Sequence, residues 1–433
     1  MSKRTAALGS LVVAALGSLL VTVASGCGSI GTLGAPEAPL WLHHPGSALS
    51  IQMRKEITAE SRKVGEVYER GQPAIDVAHR RVFVGSSDWG LYAVRADTGD
   101  VIWRFETMGP VQCEPLYDPV SDSVFFGSND GALYKVRATD GKLEFRFMTN
   151  AEVSRRPVLR DGVVYATNAN DTLVALDATT GKMRWYQHRT PAFGMEVAGY
   201  AGPALGEDKV FTAFSDGTVM AYDIKDGSEE WVAVDLAAEA EQATGETPKY
   251  LDVDTTPLVD KTANGEVVFV AGYAAGLFAL DAEDGSRVWS NDKAVGVTEM
   301  ILWRQPAHLP RDGKGPRVPE KKLIIAASGL SGLWAIDPAD GRTVWRRNLP
   351  EGGMSAPVQV AGAIMVATSR YGLFLFSPED GAVIDGIDMG GALSTTPAAY
   401  GRRAFLLTNG GSLLGLHITA PSSAVAKYQA PPP

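Results

Sequence analysis

Two carboxylates on alternate residues of one short segment are the side chains best placed to do chemistry with another molecule. They are Asp252 and Asp254 in Tyr250-Leu251-Asp252-Val253-Asp254-Thr255-Thr256-Pro257. On an extended chain successive side chains point to opposite faces, so both acids project to one side and Leu251 and Val253 to the other. Such a face can meet a basic partner and steer its approach. The same aspartates read equally well as turn caps at the entrance to a strand. No catalytic constellation stands beside them. His43, His44, His79, His188, His308 and His417 are scattered, without a His-Glu-x-x-His pair or a Cys/His cluster at zinc spacing. There is no Gly-x-Ser-x-Gly elbow and no phosphate-binding loop. A calcium site needs several converging oxygen ligands. Asp97, Asp140, Asp226, Asp284, Asp340 and Asp380 each sit at or just before a turn glycine, which accounts for them structurally. The expectation is a chain with no catalytic residues, no metal and no cofactor.

The other chemistry is at the N-terminus. Lys3 and Arg4 precede an apolar stretch from Leu8 to Val23, and the small residues Ala24-Ser25-Gly26 lead into Cys27. A positive start, an apolar run and small residues at the cleavage point mark export. Small residues directly before a cysteine resemble a bacterial lipobox, in which the cysteine thiol is lipidated and becomes the first residue. Ala24 stands where that motif usually has Leu. An uncleaved membrane anchor is the other reading of the apolar run. Gly28 is not the Asp that such lipoproteins carry when held in the inner membrane, so the resemblance implies a lipid anchor in the outer membrane, facing the periplasm. With Cys27 lipidated, Cys113 has no partner and no disulfide forms; it reads as a small buried apolar residue.

These groups must be positioned by a phrase that recurs seven times. Gly90-Leu91-Tyr92-Ala93-Val94, Asp97-Thr98-Gly99 and Trp103 form the first clear copy. Later copies end at Phe145, Trp185, Trp231, Trp289 and Trp345, and the last loses its aromatic at Asp385. A period of roughly 40 to 50 residues points to a propeller or a solenoid. Within a copy, short β-branched and aromatic strands are joined by Asp-Gly or Thr-Gly turns. A further strand follows a recurring proline (Pro115, Pro157, Pro203, Pro257, Pro357, Pro397). Four short antiparallel strands make one propeller blade, and the Trp is expected in the seam between blades with its indole N–H on a carbonyl.

After the seventh turn only three strands remain, so the sequence predicts an all-β, eight-bladed propeller closed by strands from both termini. Leu40-Trp41-Leu42 is the expected closing strand, with Trp41 as the repeat aromatic. Closure removes two edges that would invite aggregation. The expected organisation is a signal peptide at 1–26, lipidated Cys27 and a tether to 39, the propeller at 40–420, and a Pro/Ala-rich disordered tail at 421–433. Two insertions lengthen the repeat, one at 235–251 with a helical Leu236 to Ala243, the other a basic loop at 303–322. Acidic residues outnumber basic ones, 50 to 40, which argues against a nucleic-acid partner.

The repeat phrase resembles the propellers of quinoprotein dehydrogenases and their non-enzymatic relatives. Leu251-Asp252-Val253-Asp254 is more specific and resembles the interblade loop of the BamB family, lipoproteins of the outer-membrane β-barrel assembly machinery. Thr-Thr-Pro recurs at Thr395-Thr396-Pro397 and belongs to the repeat. The resemblance implies that Leu251, Asp252, Val253 and Asp254 contact POTRA domains of the BamA-like barrel-inserting subunit. It implies the same of Met195 and Val197 in Met195-Glu196-Val197-Ala198, where Ala198 replaces the family's Arg. Exposed blade edges are a further expected contact for nascent outer-membrane strands. A quinoprotein dehydrogenase is the enzymatic alternative, but the adjacent-cysteine disulfide common in those enzymes has no counterpart here. A periplasmic adaptor or sensor with another partner is the third reading.

Overall fold

The computed structural model describes residues 48–58, 68–191, 200–245, 252–310, 314–348, 353–370, 372–389 and 392–419. These residues form eight four-stranded antiparallel sheets. In blade 1 the strands are Ala74–Asp76, Arg81–Gly85, Gly90–Arg95 and Val101–Glu106, paired in sequence order; the strands of blades 2 to 7 follow within 116–148, 158–188, 204–235, 258–291, 297–347 and 358–387, and those of blade 8 lie within 398–418 and 49–56. Pro115, Pro157, Pro203, Pro257, Pro357 and Pro397 each stand immediately before the first strand of a blade. Proline fits there because that position is outside the ladder. First strands of neighbouring blades touch one another and form the inner ring.

The repeat phrase has a direct packing cause. Gly141, at φ 70°, lies under Trp103 of the preceding blade, and a Cβ there would come within 2.7 Å of the indole. The contact recurs for Gly227 on Trp185, Gly285 on Trp231, Gly341 on Trp289 and Gly381 on Trp345. The turn therefore needs glycine twice over, for its left-handed backbone and for the aromatic ring laid across it. The indole N–H then donates into the next blade, Trp103 to Ala138 O at 2.9 Å and Trp345 to Pro378 O at 2.9 Å. Between seams, the middle strands are buried throughout, as in Val82–Val84 and Leu91–Val94.

The ring closes one segment later than the sequence reading expects. The outer strand of blade 8 is Leu49–Glu56, paired with Ser412–Ile418 from Leu49↔Ile418 to Glu56↔Ser412. Leu40–Leu42 lies outside the described residues. Met53, opposite Gly415, holds the place of the repeat aromatic and packs on Gly99 of blade 1 as the tryptophans pack on theirs. Blade 7 has Asp385 at that place because its neighbour, blade 8, has a chain break where other blades have the glycine turn. Asp385 is 3% exposed and accepts the Leu49 N–H at 2.7 Å, so the closing strand is fixed by a hydrogen bond in place of an aromatic contact.

The described parts of both insertions contain regular elements. Leu236–Thr244 is a helix, N-capped by Asp235 on Ala238 N at 2.9 Å and ended by Gly245 at φ 75°. The second lengthens a hairpin between Val297–Gln305 and Lys321–Ser328. Arg304 and Lys322 both grip buried Asp260, at 2.7 and 2.9 Å, so two of its basic residues tie blade 6 to blade 5. No helix among the described residues is long and apolar enough to cross a membrane.

Candidate docking face

The segments entering the first strands of blades 3 to 6 bring charged groups together from distant parts of the chain. Arg155, two residues before Pro157, is their centre. Its Nε donates to Tyr200 O, its Nη2 to Asp254 O at 3.0 Å, and its Nη1 to Glu299 Oε1 at 2.6 Å. One guanidinium from blade 3 thus holds the entry segments of blades 4 and 5 and the first strand of blade 6. Burial works against its charge, but Glu299 and Asp254 outweigh it and push its pKa above the ordinary arginine value. The Tyr200 hydroxyl accepts from Ser154 Oγ at 2.9 Å and donates to Glu152 O at 3.0 Å, which locks the same segments a second time. Gly202 N donates to Thr256 Oγ1 at 2.9 Å.

Asp252, Val253 and Asp254 are all buried, so the segment is covered on every side. Val253 joins the apolar cluster of Phe211, Leu236 and Val268. Asp252 is 2% exposed and Asp254 6%, so the carboxylates lie beneath the surface and do not form an open acidic face. Burial, reinforced by Asp252 and Glu299 and opposed by Arg155, pushes Asp254 up to about 7. Its Oδ1 is buried and receives no hydrogen bond among the described residues. Leu251, Met195 and Val197 lie outside the described residues; Tyr200 and Asp252 are where the chain re-enters the described structure beside them.

The remaining candidates are structural. The buried Cys113 thiol donates to Glu114 O at 3.0 Å, and burial pushes it up to about 12, so it is no nucleophile. Glu114, raised by burial, pairs with Arg156 at 3.3 Å. Turn aspartates cap their own turns, as Asp284 accepts Ser286 N at 2.8 Å and Asp340 accepts Arg342 N at 3.0 Å. Ligand atoms of Asp76, His79 and Asp122 lie within 4.8 Å of one another. Arg81 already fills the cationic place between them, its Nε 2.7 Å from Asp76 and its Nη2 on Asp122.

With this architecture in view, the family described as "Outer membrane protein assembly factor BamB" matches residues 87–302 and 294–420. The chain belongs to the BamB family. The BamB of Legionella pneumophila (strain Paris) is 22% identical over 54% of this chain and 54% of its own length. The chain thus spans about half of that curated relative. The crystal structure of BamB from Moraxella catarrhalis superposes with a TM-score of 0.65 at 18% identity, over 86% of this chain and all of that one. A polyvinylalcohol dehydrogenase from Sphingopyxis sp. is 24% identical over 75% of this chain and 62% of its own, so the fold is shared with enzymes as well.

Sequence reasoning about this BamB-family chain missed Arg155 and Glu299. A signal existed: in Ser154-Arg155-Arg156-Pro157 an arginine stands two residues before the proline, where other copies have Cys113, Thr255 or Thr395.

Proposed function

We propose that this chain is a non-catalytic scaffold of the outer-membrane β-barrel assembly machinery, held to the outer membrane by lipid on Cys27 and docking on the periplasmic POTRA region of the barrel-inserting subunit. Family membership supports the assembly role. The observation that carries the docking site is the Arg155 guanidinium, which binds Tyr200 O and Asp254 O together. Tyr200 follows the segment with Met195 and Val197, and Asp254 ends the segment that begins at Leu251. Leu251, Met195 and Val197 make the apolar contact, while Asp252, Val253 and Asp254 are packed inward and set the shape of their segment.

This assignment changes the useful mutation. Replacing Asp252 or Asp254 with lysine would bury a second cation beside Arg155 and damage the fold. Leu251→Asp and Met195→Asp address the contact itself. Surface plasmon resonance of the chain from Gly28 onward, against the POTRA region from the same organism, tests it. Binding that weakens by about tenfold or more in either variant, with unchanged thermal stability, is the expected result, since central apolar contacts commonly contribute 1–2 kcal/mol or more. No binding by the wild-type chain refutes the reading.

A further inference from the structure

We propose that Arg155 is a positioning residue for the docking face, a clasp that sets the entry segments of blades 4 and 5 against the first strand of blade 6. The inference rests on the docking reading only for what the face is used for; the clasp itself is a statement about this fold. Three observations carry it. First, the three acceptors belong to three different blades, and none is in Arg155's own blade. Removing the guanidinium leaves every β-ladder of blade 3 intact while freeing two carbonyls and a carboxylate elsewhere.

Second, the clasp occupies an acidic neighbourhood. Asp252, Glu299 and Asp171 all act on Asp254 there, and Glu299 acts on Glu114. Arg155 is the cation among them, and Arg156 is turned to Glu114 at 3.3 Å. Without the guanidinium the carboxylates of blades 5 and 6 repel across the gap. Third, the acceptors lie in different directions and require a planar fork of N–H donors. A lysine ammonium supplies the charge but not that fork. The side chains of Arg155 and Glu299 are 21% and 29% exposed, so the site is open to a small cation from solvent.

The test is hydrogen–deuterium exchange on the full chain, comparing wild type, Arg155→Lys and Arg155→Ala. Arg155→Lys keeps the charge balance and guards against a variant that fails to fold. Exchange at residues 200–203 and 252–257 is expected to rise about tenfold or more in both variants, as local openings become easier. Strands 163–168, 209–213 and 265–272 should keep their protection. Millimolar guanidinium should restore protection to Arg155→Ala, which a general loss of packing would not allow. Unchanged exchange at both segments overturns the proposal, as does a rise spread through blade 3's own strands without rescue. In the POTRA assay, Arg155→Ala should bind about tenfold more weakly, the same local opening being charged against binding. A wild-type chain that fails to bind refutes the docking reading and leaves the clasp to be decided by exchange alone.

Discussion

Replacing Asp254 with asparagine should stabilise this protein, and by an amount that depends on pH. The native carboxyl holds its proton up to about 7, against an ordinary value of 3.8, because it is buried among like charges. Between those values the folded state binds more protons than the unfolded one. Stability therefore falls as pH rises through that window and levels off above it. At about pH 8 the charged carboxylate costs on the order of 4 kcal/mol, taking 1.36 kcal/mol per pKa unit. At about pH 5 the same linkage leaves less than half of that. Asp254→Asn keeps the shape and the backbone carbonyl that Arg155 uses, and removes the charge. Urea denaturation of wild type and variant at both pH values reads the difference. The variant should gain most at the higher pH and well under half as much at the lower. A variant that is less stable at about pH 8, or a gain that does not shrink on acidification, refutes the account of Asp254 as an uncompensated buried acid.

Other outcomes follow from the seams. Gly341→Ala must accept both φ 73° and a Cβ 2.4 Å from the Trp289 ring, and should cost about 2–4 kcal/mol in urea denaturation. Gly162→Ala has a similar φ of 74° but open space around it, and should cost only about 1–2 kcal/mol, so the difference isolates the Trp contact. Asp385→Ala strips the partner from the buried Leu49 N–H and should lower stability by about 2–3 kcal/mol; increased exchange should appear first at residues 49–56.

The propeller was legible because one contact recurs along the sequence, with a tryptophan at five of its seams. A tryptophan laid on the next blade's glycine fixes the spacing of both, and the proline at each blade entrance marks the boundary. The closing strand was not, because Trp41 was sought at a place held by Met53. The alternation Leu49-Ser50-Ile51-Gln52-Met53 is strand-like, but a methionine does not announce itself as a repeat aromatic. Asp385 looked like decay of the repeat and is instead a hydrogen-bond acceptor specific to the closure. Period-2 alternation predicts one open face for Asp252 and Asp254, but it cannot reveal that both carboxylates are buried. Arg155 is marked in the sequence by its place before Pro157, but its role is not. Its partners lie in three other blades, and only the closed ring brings them within reach.

The strand that seals the ring also sets the order of events in making it. Among the described residues, Leu49–Glu56 precedes every other strand, yet it pairs with Ser412–Ile418, the last. During synthesis this strand must wait, one edge uncovered, until nearly the whole chain has followed it. Blades 1 to 7 are built from local hairpins and can form in turn, while the final pairing spans the full sequence and is intrinsically slow. Until then the chain is an open arc with two free edges, the state in which it most needs protection from its neighbours.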